Sequence, residues 1–259
     1  MYPTKSALVY FSPTGSTKAV LNAVAEGLDL PCTHVDMTLP AHRAQDCEFG
    51  EDTLLVLGFP VYYGRVPLIQ EEIFPRLHGE ARYALPVVVY GNRAFEDSLR
   101  ELGDLCSQKG YMLAAAAAFV AEHSYSSKMG TKRPDDADRA LARHFGVEVM
   151  ISLKAGKTLD CAILPGNVPY RTYGPKPSIV PETNETCIAC NLCVDLCPTG
   201  AISREDRKID VQRCILCAGC IKKCPCESKF IGFAPMQERI RDMAAVNRVM
   251  KQPQLFLPE

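Results

Sequence analysis

The sequence predicts an α/β protein: a doubly wound parallel sheet of five strands, followed by a small, cysteine-rich α+β module. Three observations predict it. Apolar, β-branched runs alternate with segments of helical periodicity over residues 1–158, the pattern of βα units packed on a parallel sheet. Five prolines and two glycines then fall within 164–182, too many for regular structure. Beyond them the cysteine density changes: of 13 cysteines, Cys32, Cys47, Cys106 and Cys161 are dispersed, and the other nine crowd into 187–226. The expected division is a first domain over 1–158, a connector over 159–181, a cysteine module over 182–230 and a helical tail over 231–259.

Each element has its own warrant. Strands are expected at 6–11 (SALVYF), 33–37 (THVDM), 53–61 (TLLVLGFPV) and 85–91 (LPVVVYG). Between them, Ala19, Val20, Ala23, Val24 and Leu28 repeat at helical spacing, and after the fourth run Leu99, Leu102, Leu105 and Cys106 do the same. Residues 111–120 (YMLAAAAAFV) pull both ways, since alanine favours helix while a continuous apolar run after a helix favours a buried strand. They are assigned as strand five. Leu141, Phe145, Val149 and Leu153 then mark a closing helix over 135–154.

An open parallel sheet binds its ligand at the carboxyl ends of the strands, so the loops there are the places to look for chemistry. In the first loop, Ser12, Thr14, Ser16 and Thr17 offer hydroxyls and Gly15 lets a ligand approach the backbone. The helix starting near Ser16 would aim its unpaired N–H groups and positive dipole end at the same spot, which suits a phosphate. From this loop alone, a capped strand-to-helix turn accounts for the residues equally well. The two common nucleotide signatures, G-x-x-x-x-G-K-S/T and G-x-G-x-x-G, are absent; the GKT at 156–158 lacks the upstream glycine. The second loop carries Pro60, Val61, Tyr62, Tyr63 and Gly64, the third Gly91, Asn92, Arg93, Phe95, Glu96 and Asp97. Singly these are ordinary turn and core residues. Together, Tyr62, Tyr63 and Phe95 can lie against a flat ring whose polar edge meets amides near Gly64, Gly91 and Asn92. A phosphate at one end and a tricyclic ring at the other describe flavin mononucleotide (FMN).

Residues 1–155 resemble flavodoxins, whose phosphate loop T/S-x-T-G-x-T is matched by Ser12, Pro13, Thr14, Gly15, Ser16 and Thr17. The resemblance implies the strand order 2-1-3-4-5, phosphate contacts from this loop and ring contacts from the second and third loops. Many flavodoxins stack Trp and Tyr on the ring, whereas this chain has no Trp and offers Tyr62 or Tyr63, and Phe95. Which aromatic stacks is open.

The cysteine module carries a doubled signal. CIACNLCVDLCP supplies Cys187, Cys190, Cys193 and Cys197, and CILCAGCIKKCP supplies Cys214, Cys217, Cys220 and Cys224. Both runs read C-x2-C-x2-C-x3-C-P, the bacterial two-cluster spacing in which the fourth cysteine of each run ligates the other run's 4Fe–4S cluster. Tetrahedral zinc would need only two pairs of ligands. Cys226 falls outside the pattern and reads as a spare thiol. Residues 201–213 look like the small hairpin that joins the halves of ferredoxins, and 182–229 resemble that family. In the tail, Met236, Ile240, Met243, Ala244 and Val249 suggest an amphipathic helix over 235–252 docked on one of the domains.

Composition narrows the function. Lys and Arg number 29 against 30 Asp and Glu, without the basic excess that nucleic-acid binding requires. The longest apolar run, 113–121, is too short to span a bilayer, and the amino terminus lacks the order of a signal peptide; a cytoplasmic protein is expected. In order and content the chain resembles the flavodoxin-ferredoxin fusion proteins of anaerobes. This implies FMN, two 4Fe–4S clusters and other redox proteins as electron donor and acceptor. The alternative is a flavoenzyme reducing a small substrate with electrons delivered through the clusters. No catalytic acid, base or nucleophile stands out; His123, in EHSYS after strand five, is placed to border the flavin but reads as a loop histidine. A relay also requires the cysteine module to pack beside Tyr62 and Phe95, within one chain or across a homodimer.

Overall fold

The computed structural model describes residues 2–174 and 178–259. Strands β1 (Lys5–Tyr10), β2 (Cys32–Asp36), β3 (Thr53–Pro60), β4 (Tyr83–Tyr90) and β5 (Ala116–Val120) pair in parallel in the order 2-1-3-4-5. Helices α1 (Ser16–Leu28) and α3 (Asp136–Lys154) cover one face, burying Leu8, Val56, Val87 and Phe119 with their own Val24 and Phe145. Helix α2 (Ser98–Gln108) covers the other, where Val9, Leu57 and Val88 meet Leu99 and Leu102. Successive strand residues thus serve opposite cores, which is why the strands read as continuous apolar runs. The helices α1 and α3 approach very closely: a Cβ on Gly27 would fall 1.8 Å from the Arg143 carbonyl oxygen, and one on Gly146 2.3 Å from that of Val24. Backbone cannot yield as a side chain can, so both positions are held to glycine.

The alanine-rich segment is a strand. Ala114 to Ala118, leading into and along β5, are fully buried, because a small side chain fits between two helical layers there and tertiary packing overrides helix propensity. The expectation of five strands needs correction. Residues Met112–Leu113 add a short pairing to β4, and β6 (Gln254–Phe256) joins antiparallel to β5, placing Phe256 opposite Ala116. The tail therefore closes the edge that β5 would otherwise expose.

The cysteine module is small. Glu182–Thr183 pairs antiparallel with Lys229–Phe230, and two one-turn helices, α4 (Leu192–Asp195) and α5 (Gly219–Lys222), each carry the third cysteine of a run. The hairpin expected over 201–213 narrows to a bridge between Ile202 and Ile209. The connector has no helix or strand between 164 and 174, and its PKP stretch, 175–177, lies outside the described residues. It is more than a spacer. The Arg65 guanidinium sits over the rings of Tyr170 and Tyr173, 4.6 and 4.7 Å from their centroids, and pairs with the buried Glu101 at 2.7 Å.

The tail helix α6 (Ala234–Val246) ends earlier than its periodicity suggested, because the chain must turn there toward β6. Asn92, fully buried, pins that turn: its side-chain amide donates to the carbonyls of Asn247 and Val249, and its oxygen accepts from the Lys251 amide, all at 2.9 Å. Replacing Asn92 by Ala removes three part-buried hydrogen bonds, worth about 1 kcal/mol each, and leaves their partners without it. The expected result is a loss of roughly 2–4 kcal/mol in urea unfolding, with proteolysis appearing first between residues 247 and 253. Unchanged stability would mean that the tail is held elsewhere.

Candidate functional site

At the first loop, Gly15 takes φ +93°, and nothing lies within 4 Å of where its Cβ would be. The Ser12 amide donates to Thr38 Oγ1 at 3.0 Å, and Ser12 Oγ accepts the Lys18 amide at 3.1 Å, which fixes the loop. Thr17 is buried, while Thr14 and Ser16 are half-buried with their hydroxyl oxygens 3.5 Å apart. Helix α1 begins without a side-chain cap from Gly15 and without an acidic residue in its first turn. An open approach, hydroxyl groups and a helix N-terminus with no acidic residue in its first turn are the chemistry of a phosphate cradle. The loop fits that group.

At the carboxyl end of the sheet lies a cavity of about 850 Å³, whose lining does not include the residues of the first loop, 12–17. Val61, Tyr62, Tyr63 and Gly64 after β3, and Tyr90 at the end of β4 with Gly91, Arg93 and Ala94 after it, form one side. His123, Ser124 and Tyr125 after β5 form another. Ile215 and Leu216 of the cysteine module, Arg171 of the connector, and α6 with Met236, Glu238, Arg239, Ile240, Asp242 and Met243 form the rest. The aromatic and apolar part of this lining suits a flat heteroaromatic ring, while Arg93, Arg171, Glu238, Arg239 and Asp242 add charge around it. Burial raises the Tyr62 hydroxyl well above its usual range. His123 is pushed down to about 4, first by burial and then by the charges of Arg93 and Lys222, so it is neutral at pH 7.

Several residues of the third loop do other work. Phe95 points into the core, edge-on to Tyr90 with centroids 5.4 Å apart, and gives the cavity no aromatic face. Asn92 holds the tail. Glu96 pairs with Arg93 and Arg171, and the buried Asp97 accepts the amides of Asn167 and Arg171 at 2.8 and 2.7 Å. Their partners lie in the connector and tail, so the loop that looked poised for a ligand instead anchors the chain. Conversely, Tyr90, Tyr125, Ile215 and Leu216 reach the cavity without having been singled out, and α6, expected only to dock on a domain, reaches it too. Tyr125 had the same positional signal as His123, a loop after a parallel strand; the apolar spacing of α6 pointed to a docked helix, but not to the cavity it covers.

The eight patterned cysteines fall around two small pockets. Cys187, Cys190, Cys193 and Cys224 line one; Cys197, Cys214, Cys217 and Cys220 line the other. The fourth cysteine of each run thus faces the other run's first three. The backbone explains the arrangement. Ala189 and Asn191 in the first run, and Leu216 and Ala218 at the matching positions of the second, all take φ between 56° and 60° or, for Leu216, 53°. These left-handed turns curl both runs alike and aim amides inward. The Gly219 amide donates to Cys217 Sγ at 3.5 Å and the Ala201 amide to Cys197 Sγ at 3.2 Å. Among the described residues no three His, Cys, Asp or Glu side chains converge as a single-ion site. Thiols spread around a pocket suit a cuboidal cluster. Burial raises the Cys217 and Cys220 thiols to about 12.

Ile215 and Leu216 line both the large cavity and the second thiol pocket, and so form the wall between them. Three contacts hold that wall in place. Tyr125 Oη donates to the Leu216 carbonyl at 2.6 Å; the buried Arg43 donates to the Pro198 carbonyl at 2.8 Å; Lys222 pairs with Glu122. Helix α5 also rests on the first loop, where a Cβ on Gly219 would lie 3.1 Å from the Pro13 carbonyl oxygen.

The histidine gives this region a pH signature. The folded state holds His123 neutral down to about pH 4, whereas the unfolded chain takes up the proton near pH 6.5. Its contribution to stability is therefore complete above pH 6.5 and is lost as pH falls toward 4. Wild type should lose stability across that window relative to His123→Gln, by at most about 1.4 kcal/mol per pH unit, with parallel curves above pH 7. Parallel curves throughout would contradict the burial.

Residues 182–203 match the model of the 4Fe-4S binding domain family. No curated protein matches. Among solved structures, the chain is similar to a flavodoxin from the domain Archaea, at 13% identity over 58% of this chain and 99% of that one, with a TM-score of 0.40. It is also similar to a WrbA-like flavodoxin from Agrobacterium tumefaciens, at 16% identity, 60% and 99% coverage and a TM-score of 0.38. Rubredoxin oxygen:oxidoreductase from the anaerobe Desulfovibrio gigas matches at 15% identity and a TM-score of 0.42, over 60% of this chain and 37% of that one. The strand order 2-1-3-4-5, with helices on both faces, is itself the flavodoxin-like arrangement. The chain thus joins a flavodoxin-like domain to a segment matching the 4Fe-4S binding domain, in the order of a flavodoxin-ferredoxin fusion.

Proposed function

We propose that this protein is a cytoplasmic electron-transfer protein that relays electrons between FMN and two 4Fe–4S clusters, exchanging them with other redox proteins. When bound, FMN passes one or two electrons and each cluster passes one at a time. The single observation that carries the reading is the shared wall: Ile215 and Leu216 separate the ring-sized cavity from the second thiol pocket by one layer of chain. In this reading Ser12, Thr14, Gly15, Ser16 and Thr17 hold the phosphate, and the loops at Tyr62 and Gly91 orient the ring. Tyr125 keeps the wall against it, and α6 shields it from water. Cys187, Cys190, Cys193 and Cys224 hold one cluster, Cys197, Cys214, Cys217 and Cys220 the other. The route runs within one chain and needs no second copy.

The size of the cavity favours a second reading, a flavoenzyme whose small substrate lies between the ring and α6. Steady turnover of NAD(P)H, quinones or small organic acceptors by the anaerobically purified protein would favour the enzyme; exchange with redox proteins alone favours the carrier.

Two substitutions test the cofactor assignments separately. Gly15→Val should abolish FMN binding while leaving iron and sulfide unchanged, because a side chain at φ +93° both strains the loop and fills the open space over it. Unchanged flavin would show that the loop is only a helix cap. Cys197→Ala should damage the cluster of the second run and spare that of the first, read from their electron paramagnetic resonance signals. Loss of the first-run signal instead would refute the crossed assignment.

A further inference from the structure

The first thiol pocket is lined by five cysteines, although a four-iron cluster offers only four corners. The fifth is Cys226, outside both runs. Its sulfur lies 3.7 Å from that of Cys224, and both face the pocket that Cys187, Cys190 and Cys193 line. Only Pro225 separates the two, and Glu227, at φ 52°, turns the chain back so that the buried Ser228 lies against both sulfurs. Ser228 Oγ is 3.2 Å from Cys224 Sγ and 3.5 Å from Cys226 Sγ. Thr186 Oγ1 donates to the Cys226 carbonyl at 3.3 Å, which fixes the residue from the other end of the module.

The pseudo-repeat provides an internal comparison. The first run ends Cys197-Pro198-Thr199 where the second ends Cys224-Pro225-Cys226. Thr199 Oγ1 lies 3.7 Å from Cys197 Sγ, so at the second pocket the same corner is served by one thiol and one hydroxyl. A hydroxyl meets the hydrogen-bonding need of that turn. At the first pocket the position carries a soft thiol instead, a group that iron prefers.

We propose that Cys224 and Cys226 are interchangeable ligands for one corner of the first cluster, with Ser228 as the bridge between them. The inference rests on the two-cluster reading above. In the exchange, one Fe–Sγ bond to Cys224 breaks and one to Cys226 forms. The Ser228 hydroxyl accepts the proton leaving the Cys226 thiol and gives its own to the Cys224 sulfur. No electron is gained or lost. The corner can thus change hands without loss of iron, which neither Cys187 nor Cys197 allows.

The test reconstitutes the full chain anaerobically with iron and sulfide, counts both, and records the electron paramagnetic resonance of the reduced protein. Wild type should hold about eight irons. Cys224→Ala should keep about eight, with an altered first-cluster signal, and Cys226→Ala should keep about eight with little change. The double variant, and Cys187→Ala as a ligand without a neighbour, should fall short and lose the first-cluster signal. If Cys224→Ala loses as much iron as the double variant, or if Cys226→Ala alone loses the cluster, the exchange is overturned. A wild-type count well below eight would instead overturn the two-cluster reading, and the proposal with it.

Discussion

The seating of the cysteine module on the carboxyl end of the parallel sheet is the constraint on which the rest of the structure depends. Its central contact is the hydrogen bond from Tyr125 to the Leu216 carbonyl, within the turn between Cys214 and Cys217. Arg43 secures the opposite side. The residue is 4% exposed, and its guanidinium gives four hydrogen bonds, to Glu72 and to the carbonyls of Met37, Thr38 and Pro198, so the charge is partnered despite burial. Each such bond is worth only about 1 kcal/mol net. Their effect is geometric, because together they leave a single thickness of chain between the large cavity and one thiol pocket. Moving that wall would separate the two sites without unfolding either.

The connector and tail serve the same constraint. Arg65 between two connector tyrosines, and Asp97 accepting the Asn167 and Arg171 amides, bind the connector to the first domain before the cysteine runs begin. The tail then returns across the cavity as α6 and ends as β6 on the sheet edge. The module is therefore tethered on both sides. Such a tether holds two sites at a high effective concentration, whereas separate carriers would have to meet by diffusion.

How much of this was legible in the sequence follows from the range of each interaction. The sheet was, because β-branched runs and helical periodicity are local, and only the alanine run needed its position in the chain to decide it. The cysteine pockets were, because the spacing within each run sets the turn at Ala189 or Leu216. The third loop was not. Asn92 and Asp97 look like ligand contacts on position alone, yet their partners lie 155 and 70 residues away, and such distances leave no local trace. Strand β6 was missed for a related reason: three residues carry almost no strand signal and pair only because β5 presents an open edge. The same applies to the cavity, whose walls come from segments that no single window of sequence contains.

The central claim, that electrons pass between flavin and clusters through the wall at Ile215 and Leu216 within one chain, is tested most directly by flash photoreduction. The anaerobic, fully loaded protein is reduced at the flavin by a light pulse, and the rise of the cluster signal is followed at several protein concentrations. A first-order rate that does not change with concentration is predicted. A rate that grows in proportion to concentration would place the transfer between molecules and contradict the account.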